Sequence, residues 1–265
     1  MIGIFIGRSF ASARDLLARR LVKSGIHPDT LTIVGTALTM LGGVCYAVGA
    51  GSRFAWSLAP SSSANAYLLC AGGLLVLASA CDMLDGAVAR IGKRNTRFGA
   101  FLDSTLDRLS DFAVYAGIAV HYAWTQPANV TLVLGAMLAL FNSFMISYTR
   151  ARAEDLIDSC TAGYWQRGER SAAILISTFA YNIPALVIQQ AILPALTVVR
   201  RISYTRAVLA GDKPIADPRD GNFWLKIRLW RWPRGTWAYD LVTGLNIAWL
   251  VFARFGRVDV LRKIF

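Results

Sequence analysis

Charge is what this chain has least of. Only 17% of its 265 residues are Asp, Glu, Lys or Arg, where a soluble domain carries about 25%. With 55% apolar residues and a mean hydropathy of +0.45, there is too little polar surface to cover one or two water-facing domains. That excludes an ordinary soluble enzyme and a disordered chain alike. Cysteine and histidine are scarce too. The four cysteines (Cys45, Cys70, Cys81, Cys160) include no CxxC pair, and three sit in apolar runs. They read as small core residues, not as a disulfide framework or zinc site. Acidic residues number 16 against 28 basic ones, a net charge of +12. On a soluble protein that excess would suggest nucleic acid; on an apolar chain it suggests the anionic cytoplasmic leaflet instead. The apolar stretch at residues 1–6 is too short for a signal-peptide core and has no small-residue cleavage site. No internal repeat or low-complexity tract is present. The chain reads as an integral membrane protein whose partners are lipids and not nucleic acid.

A spanning helix needs about 20 mostly apolar residues to cross roughly 30 Å of hydrocarbon. Runs at 31–50, 66–84, 99–124, 130–148, 171–181 and 184–199 give six expected spans, the last two the least regular. Basic residues alternate between the two sides. Arg8, Arg14, Arg19, Arg20 and Lys23 precede the first span; Arg90, Lys93, Arg94 and Arg97 follow the second; Arg150, Arg152, Arg167 and Arg170 follow the fourth. Thirteen more lie from Arg200 onward, and the intervening loops hold only Arg53. By the positive-inside bias, both termini are expected on the cytoplasmic face of the cell membrane. His27 and His121 then fall on opposite sides, which argues against a shared imidazole site. Residues 1–26 form an expected interfacial amphipathic helix, with Phe10, Ala13, Leu17 and Leu21 at helical spacing. The basic, Trp-rich segment 207–265 carries a short apolar run at 241–252 and is expected to anchor on the membrane surface.

Carboxylates inside apolar segments are costly and usually functional. The end of the second span holds Asp82 and Asp85, and the start of the third holds Asp103 and Asp107. Positions three or four apart share one helix face, and the loop between the spans is short. The two pairs can therefore converge near the cytoplasmic interface. Four converging carboxylates cannot all remain ionised without a counter-charge. Two divalent cations would provide it, and all-oxygen ligation suits Mg²⁺ or Mn²⁺. Such metals polarise phosphoryl groups and stabilise a leaving phosphate. Gly86 allows close approach to the backbone, and Arg90, one turn on, can reach a phosphate. Asp111, a turn beyond Asp107, reads more readily as a hydrogen-bonding or ion-pairing group than as a fifth ligand.

The stretch 82–107 resembles the signature of the CDP-alcohol phosphatidyltransferases, D-x2-D-G-x2-A-R-x8-G-x3-D-x3-D. Asp82, Asp85, Gly86, Ala89, Arg90, Gly99, Asp103 and Asp107 fill all of its fixed positions. The resemblance extends from about His27 to Arg206, and within the family it is most like the phosphatidylinositol-phosphate synthases. That likeness rests on Pro28-Asp29-Thr30-Leu31-Thr32, Thr96-Arg97-Phe98-Gly99, the segment 148–154 and Arg167-Gly168-Glu169-Arg170. Arg150 departs from the pattern, which usually has Lys there, and the tail has no counterpart. The resemblance implies an all-α integral membrane fold with a six-helix catalytic domain at 27–206, and a homodimer. It implies transfer of the phosphatidyl group from CDP-diacylglycerol to an alcohol, with release of CMP. Asp82, Asp85, Asp103 and Asp107 would hold two Mg²⁺, replaceable by Mn²⁺, and Asp107 would also act as general base. Asp29, Thr30, Leu31, Thr32, Gly86, Arg90 and Thr96 would bind CDP-diacylglycerol. Arg150, Arg152 and Arg170 would receive the phosphate of a phosphorylated acceptor, inositol 1-phosphate being favoured over glycerol 3-phosphate or an unphosphorylated alcohol.

Two other classes use similar residues. A cation transporter would also carry carboxylates in its spans, but here all four cluster near one face and none continues a path through spans four to six. An aromatic prenyltransferase draws its paired Asp motifs from distant helices, whereas these two pairs lie within one 26-residue stretch.

Overall fold

The computed structural model describes residues 2–49, 66–124, 128–211, 223–230, 232 and 234–253. Among them every regular element is helical: α1 (Ile2–Lys23), α2 (Pro28–Gly49), α3 (Ala66–Ile91), α4 (Arg97–Trp124), α5 (Val130–Glu154), α6 (Arg167–Phe179), α7 (Ile183–Leu209), α8 (Phe223–Leu229) and α9 (Trp237–Phe252). The expected loop around residues 51–65 lies outside the described residues.

Local chemistry sets where several of these helices begin. Pro28 opens α2 at a position where its missing N–H costs nothing. The Thr96 hydroxyl accepts the Gly99 N–H at 2.9 Å and caps α4, and the Asn129 side chain accepts the Leu132 N–H at 3.1 Å and caps α5. Among the described residues four helices, α2, α3, α5 and α7, are long and apolar enough to cross a membrane. The 28-residue α4 matches them in length but carries Asp103, Asp107, Arg108 and Asp111. The 13-residue α6 is only about 20 Å long at 1.5 Å per residue.

Packing brings the charged helix into the middle. α4 lies between α2 and α5, α3 packs on α2, and α7 on α5. Where α2 crosses α4, a Cβ on Gly43 would strike the Ala113 carbonyl, and one on Gly117 would strike the Gly43 carbonyl. Only glycine permits that approach. Tyr46, Tyr115, Ile118, Leu132 and Leu186 fill the core, and the Tyr46 hydroxyl meets the Thr178 hydroxyl, joining α2 to α6. Along α1, Ala18 packs on Ala87 and Val88 of α3, while Leu16 and Leu17 stay exposed.

The C-terminal helix is part of this bundle. Its leading end lies beside Glu169 at the start of α6, where Tyr239 bonds that carboxylate at 2.6 Å. Its far end lies at the turn between α6 and α7, where the Asn182 amide donates to the Leu250 and Ala253 carbonyls at 2.9 and 3.0 Å. Between them Trp249 Nε1 donates to the Ala185 carbonyl at 3.0 Å. The apolar run expected on the membrane surface thus runs parallel to α6, with Leu250 wholly buried.

Candidate active site

Asp82 and Asp85 leave α3 three residues apart, and Asp103 leaves the facing wall of α4. The three offer carboxylate oxygens within 4.8 Å of one another. Asp103 Oδ1 is buried without a hydrogen-bond partner, and Thr32 of α2 donates its hydroxyl to Asp85 Oδ2 at 2.7 Å. An orphaned carboxylate oxygen beside two further carboxylates suits a hard divalent cation, and the Thr32 bond orients one ligand. The donor set fits the metal that the sequence implies.

Asp107, one turn deeper, belongs to no such group among the described residues. It is 9% exposed, contacts one arm of Arg167 and lies 3.6 Å from Arg108. The other arm of Arg167 reaches Asp82 at 3.0 Å and Asp103 at 4.0 Å. The four expected ligands therefore divide into a cluster of three and a fourth held by arginines. Asp111 makes an ion pair with Arg170 at 3.5 Å and accepts the Ser143 hydroxyl, as expected of a group that is not a ligand.

Three cavities meet at these carboxylates. One of about 210 Å³ is bounded by Asp29, Thr32, Gly86, Thr96 and two of the clustered carboxylates, Asp85 and Asp103. A Cβ on Gly86 would meet nothing nearer than Arg90 Nη1 at 3.8 Å, so this backbone faces open space. The cavity gathers four of the seven residues expected around the CDP moiety. Thr30, Leu31 and Arg90 do not line it, Thr32 serves Asp85, and the Thr96 hydroxyl is committed to the α4 cap. A second cavity, of about 310 Å³, runs from Asp82 and Asp107 along Thr36 and Thr39 of α2 toward Ile174 of α6.

The third, about 590 Å³, is cationic. Arg108, Arg150, Arg167, Arg170 and Arg201 line it, with Asp107 at its inner edge. Arg170 is 3% exposed and Arg201 1%. Arg201 is fixed by the Ala162 and Ile146 carbonyls and by the Gln166 side chain at 2.7 Å. Arg150 reaches this cavity while pairing with Glu154 at 2.8 Å. Arg152 does not line it: the side chain is 61% exposed and pairs with Asp155 at 2.8 Å. Arg108, Arg167 and Arg201 were not singled out as binding residues from the sequence. Arg167 touches both the carboxylate cluster and the arginine cavity, and only the packing of α6 on α3 reveals that position.

Carboxylates able to hold a metal, beside an arginine-lined cavity, fit a metal-assisted phosphoryl-transfer enzyme of the membrane. The model of the CDP-alcohol phosphatidyltransferase family matches residues 26–208, and the chain belongs to that family. The phosphatidylinositol phosphate synthase of Mycobacteroides abscessus is 35% identical over 175 residues, 66% of this chain and 72% of that protein. The archaetidylinositol phosphate synthase of Methanothermobacter thermautotrophicus is 39% identical over 152 residues, 55% of this chain and 74% of that one. The structure of Mycobacterium tuberculosis phosphatidylinositol phosphate synthase with CDP-DAG bound superposes with a TM-score of 0.63 at 28% identity, covering 76% of this chain and 98% of that one. The same enzyme in complex with manganese and citrate gives 0.61 at 29% identity, with 79% and 96% covered. Residues after 208 lie beyond the family match.

Proposed function

We propose that this phosphatidyltransferase moves the phosphatidyl group of CDP-diacylglycerol to inositol 1-phosphate and releases CMP. One observation carries the acceptor assignment: Asp107 stands between the three-carboxylate cluster and a cavity lined by five arginines. Guanidinium forks match phosphate oxygens, and Arg170 and Arg201 are held in fixed positions. A phosphate dianion seated there lies apart from the three-carboxylate cluster, while a ring hydroxyl of the acceptor points to Asp107.

Asp82, Asp85 and Asp103 would hold the divalent cation, Mg²⁺ or Mn²⁺, which supplies the charge that neutralises the diphosphate. Asp29 and Gly86 flank the cavity proposed for the cytidine end of the donor, and Thr32 keeps Asp85 oriented. Asp107 takes the proton of the acceptor hydroxyl. The acceptor oxygen then bonds to the β-phosphorus, and the bond from that phosphorus to CMP breaks, CMP keeping the electron pair. Arg167, bonded to Asp82 and Asp107 together, sets the distance between proton acceptor and metal ligands. Replacing Asp107 by Asn keeps the shape and removes the base. Turnover should fall by at least ~10²-fold, with CDP-diacylglycerol binding retained. Near-normal turnover of Asp107→Asn would refute the assignment.

The charge bias supports a cytoplasmic N-terminus and a cytoplasmic active site, with α2 to α7 as six crossings of the cell membrane. Because α9 runs parallel to α6, this reading carries residue 253 to the opposite face. The homodimer implied by the family resemblance is retained, and the mass of the protein in detergent tests it.

A further inference from the structure

The two arginines that α6 brings to the site, Arg167 and Arg170, flank Glu169 on its first turn. Glu169 points the other way, and its side chain is 6% exposed. Its Oε1 accepts Arg234 Nε at 3.0 Å, Arg234 Nη2 at 2.7 Å and the Tyr239 hydroxyl at 2.6 Å. Both partners come from the segment that follows the family match. The same segment surrounds this point with aromatic contacts: the Tyr164 ring lies 5.5 Å from Tyr239 and 5.6 Å from Trp230. The Tyr164 hydroxyl meets Thr243 at 3.0 Å. The Glu169 carboxylate raises the pKa of Arg234 above its ordinary value, chiefly through their hydrogen bond.

Helix α6 is the shortest of the proposed crossings, with 13 residues and no side-chain cap at Gln166, so the elements packed against it set its depth. α9 grips it at the start through Glu169 and at the far turn through Asn182. Both Arg234 nitrogens share the one oxygen, and charge assistance strengthens the contact although the Arg234 side chain is 69% exposed.

We propose that Arg234 and Tyr239 are positioning residues, which act through Glu169 to set the depth and rotation of the first turn of α6 and so of Arg167 and Arg170. The C-terminal segment is then part of the acceptor site's framework and not only a membrane anchor. This rests on the reading of the arginine cavity as the acceptor-phosphate site.

The test uses full-length purified protein with CDP-diacylglycerol and inositol 1-phosphate, comparing wild type with Arg234→Gln, Arg234→Lys, Tyr239→Phe and, as reference, Arg170→Gln. Arg234→Gln should raise the acceptor KM about tenfold, the lower end of what loss of a hydrogen bond to a charged group produces. The donor KM should stay within about twofold on the same scale. Arg234→Lys should recover part of the loss, and Tyr239→Phe should show the same pattern more weakly. If Arg170→Gln raises the acceptor KM while Arg234→Gln and Tyr239→Phe leave it unchanged, the positioning role is wrong and the acceptor site stands. If both KM values and the unfolding temperature of each tail variant shift together, the contact only stabilises the fold and the proposal fails. A wild-type enzyme indifferent to inositol 1-phosphate would remove the acceptor reading, and the positioning role with it.

Discussion

Thr32 shows how one hydroxyl ties the metal ligands to the rest of the fold. It comes from α2, the helix whose first turn also carries Asp29, and its bond to Asp85 spans 53 positions of sequence. Valine has the same shape and cannot donate. Partners of this kind alter metal affinity by about 10–100-fold when lost, so Thr32→Val should raise the Mg²⁺ concentration for half-maximal activity by that factor. A metal titration of transfer activity checks it; an unchanged midpoint would show that Asp85 needs no such orientation. At this scale helical spacing pointed to the carboxylates, of which Asp82, Asp85 and Asp103 come together while Asp107, one turn deeper, meets arginines instead. The arginines were less legible in the sequence. Arg150 and Arg152 stand two apart, about 200° around a helix, and only Arg150 lines the cavity. Arg167 and Arg201 belong to distant helices, and their charge was indistinguishable from a topology signal until the helices were packed.

Helix lengths explain where the site sits. Hydropathy ends the second span at residue 84, yet α3 continues to Ile91 and carries Asp85, which accepts the Thr32 hydroxyl. The last expected span ends at 199, while α7 runs to Leu209 and buries Arg201 on its way. α6, by contrast, begins at Arg167, level with Asp107, which lies ten residues into α4. At 1.5 Å per residue, Asp107 is recessed about 15 Å from the start of α4, and the short α6 leaves room for the arginine cavity below it. This recess depends on α2 and α4 staying in contact at Gly43 and Gly117. Gly117→Val would force them apart, and overpacking of this kind costs about 1–3 kcal/mol. Thermal unfolding in detergent should show a lower midpoint, with loss of activity following stability. A variant as stable as wild type would mean that the crossing tolerates separation.

For the molecule as a whole, charge asymmetry along the chain is the basis for expecting six crossings, and among the described residues four helices are long and apolar enough to cross a membrane. The role of the last helix was not legible in the same way. Trp237–Phe252 is 16 residues long, short of a full span, and its partners are the polar groups Glu169 on α6, Asn182 in the turn that follows and Gln189 on α7, whose orientation a linear pattern does not reveal. The parallel course of α6 and α9 predicts that a cysteine introduced at Ala253 is labelled by an impermeant thiol reagent from outside intact cells, while one at Ser24 is labelled only after permeabilisation. Labelling of both positions only after permeabilisation would return the end of α9 to the cytoplasmic face. The central claim is that a metal-binding carboxylate cluster and an arginine cavity together select a phosphorylated acceptor. It is tested most directly by measuring CMP release from CDP-diacylglycerol by the purified enzyme, with inositol 1-phosphate, glycerol 3-phosphate or free inositol, in Mg²⁺ and in excess chelator. The account predicts release with inositol 1-phosphate and Mg²⁺, little with the other two acceptors, and none in chelator. Equal release with free inositol, or full turnover in chelator, would contradict it.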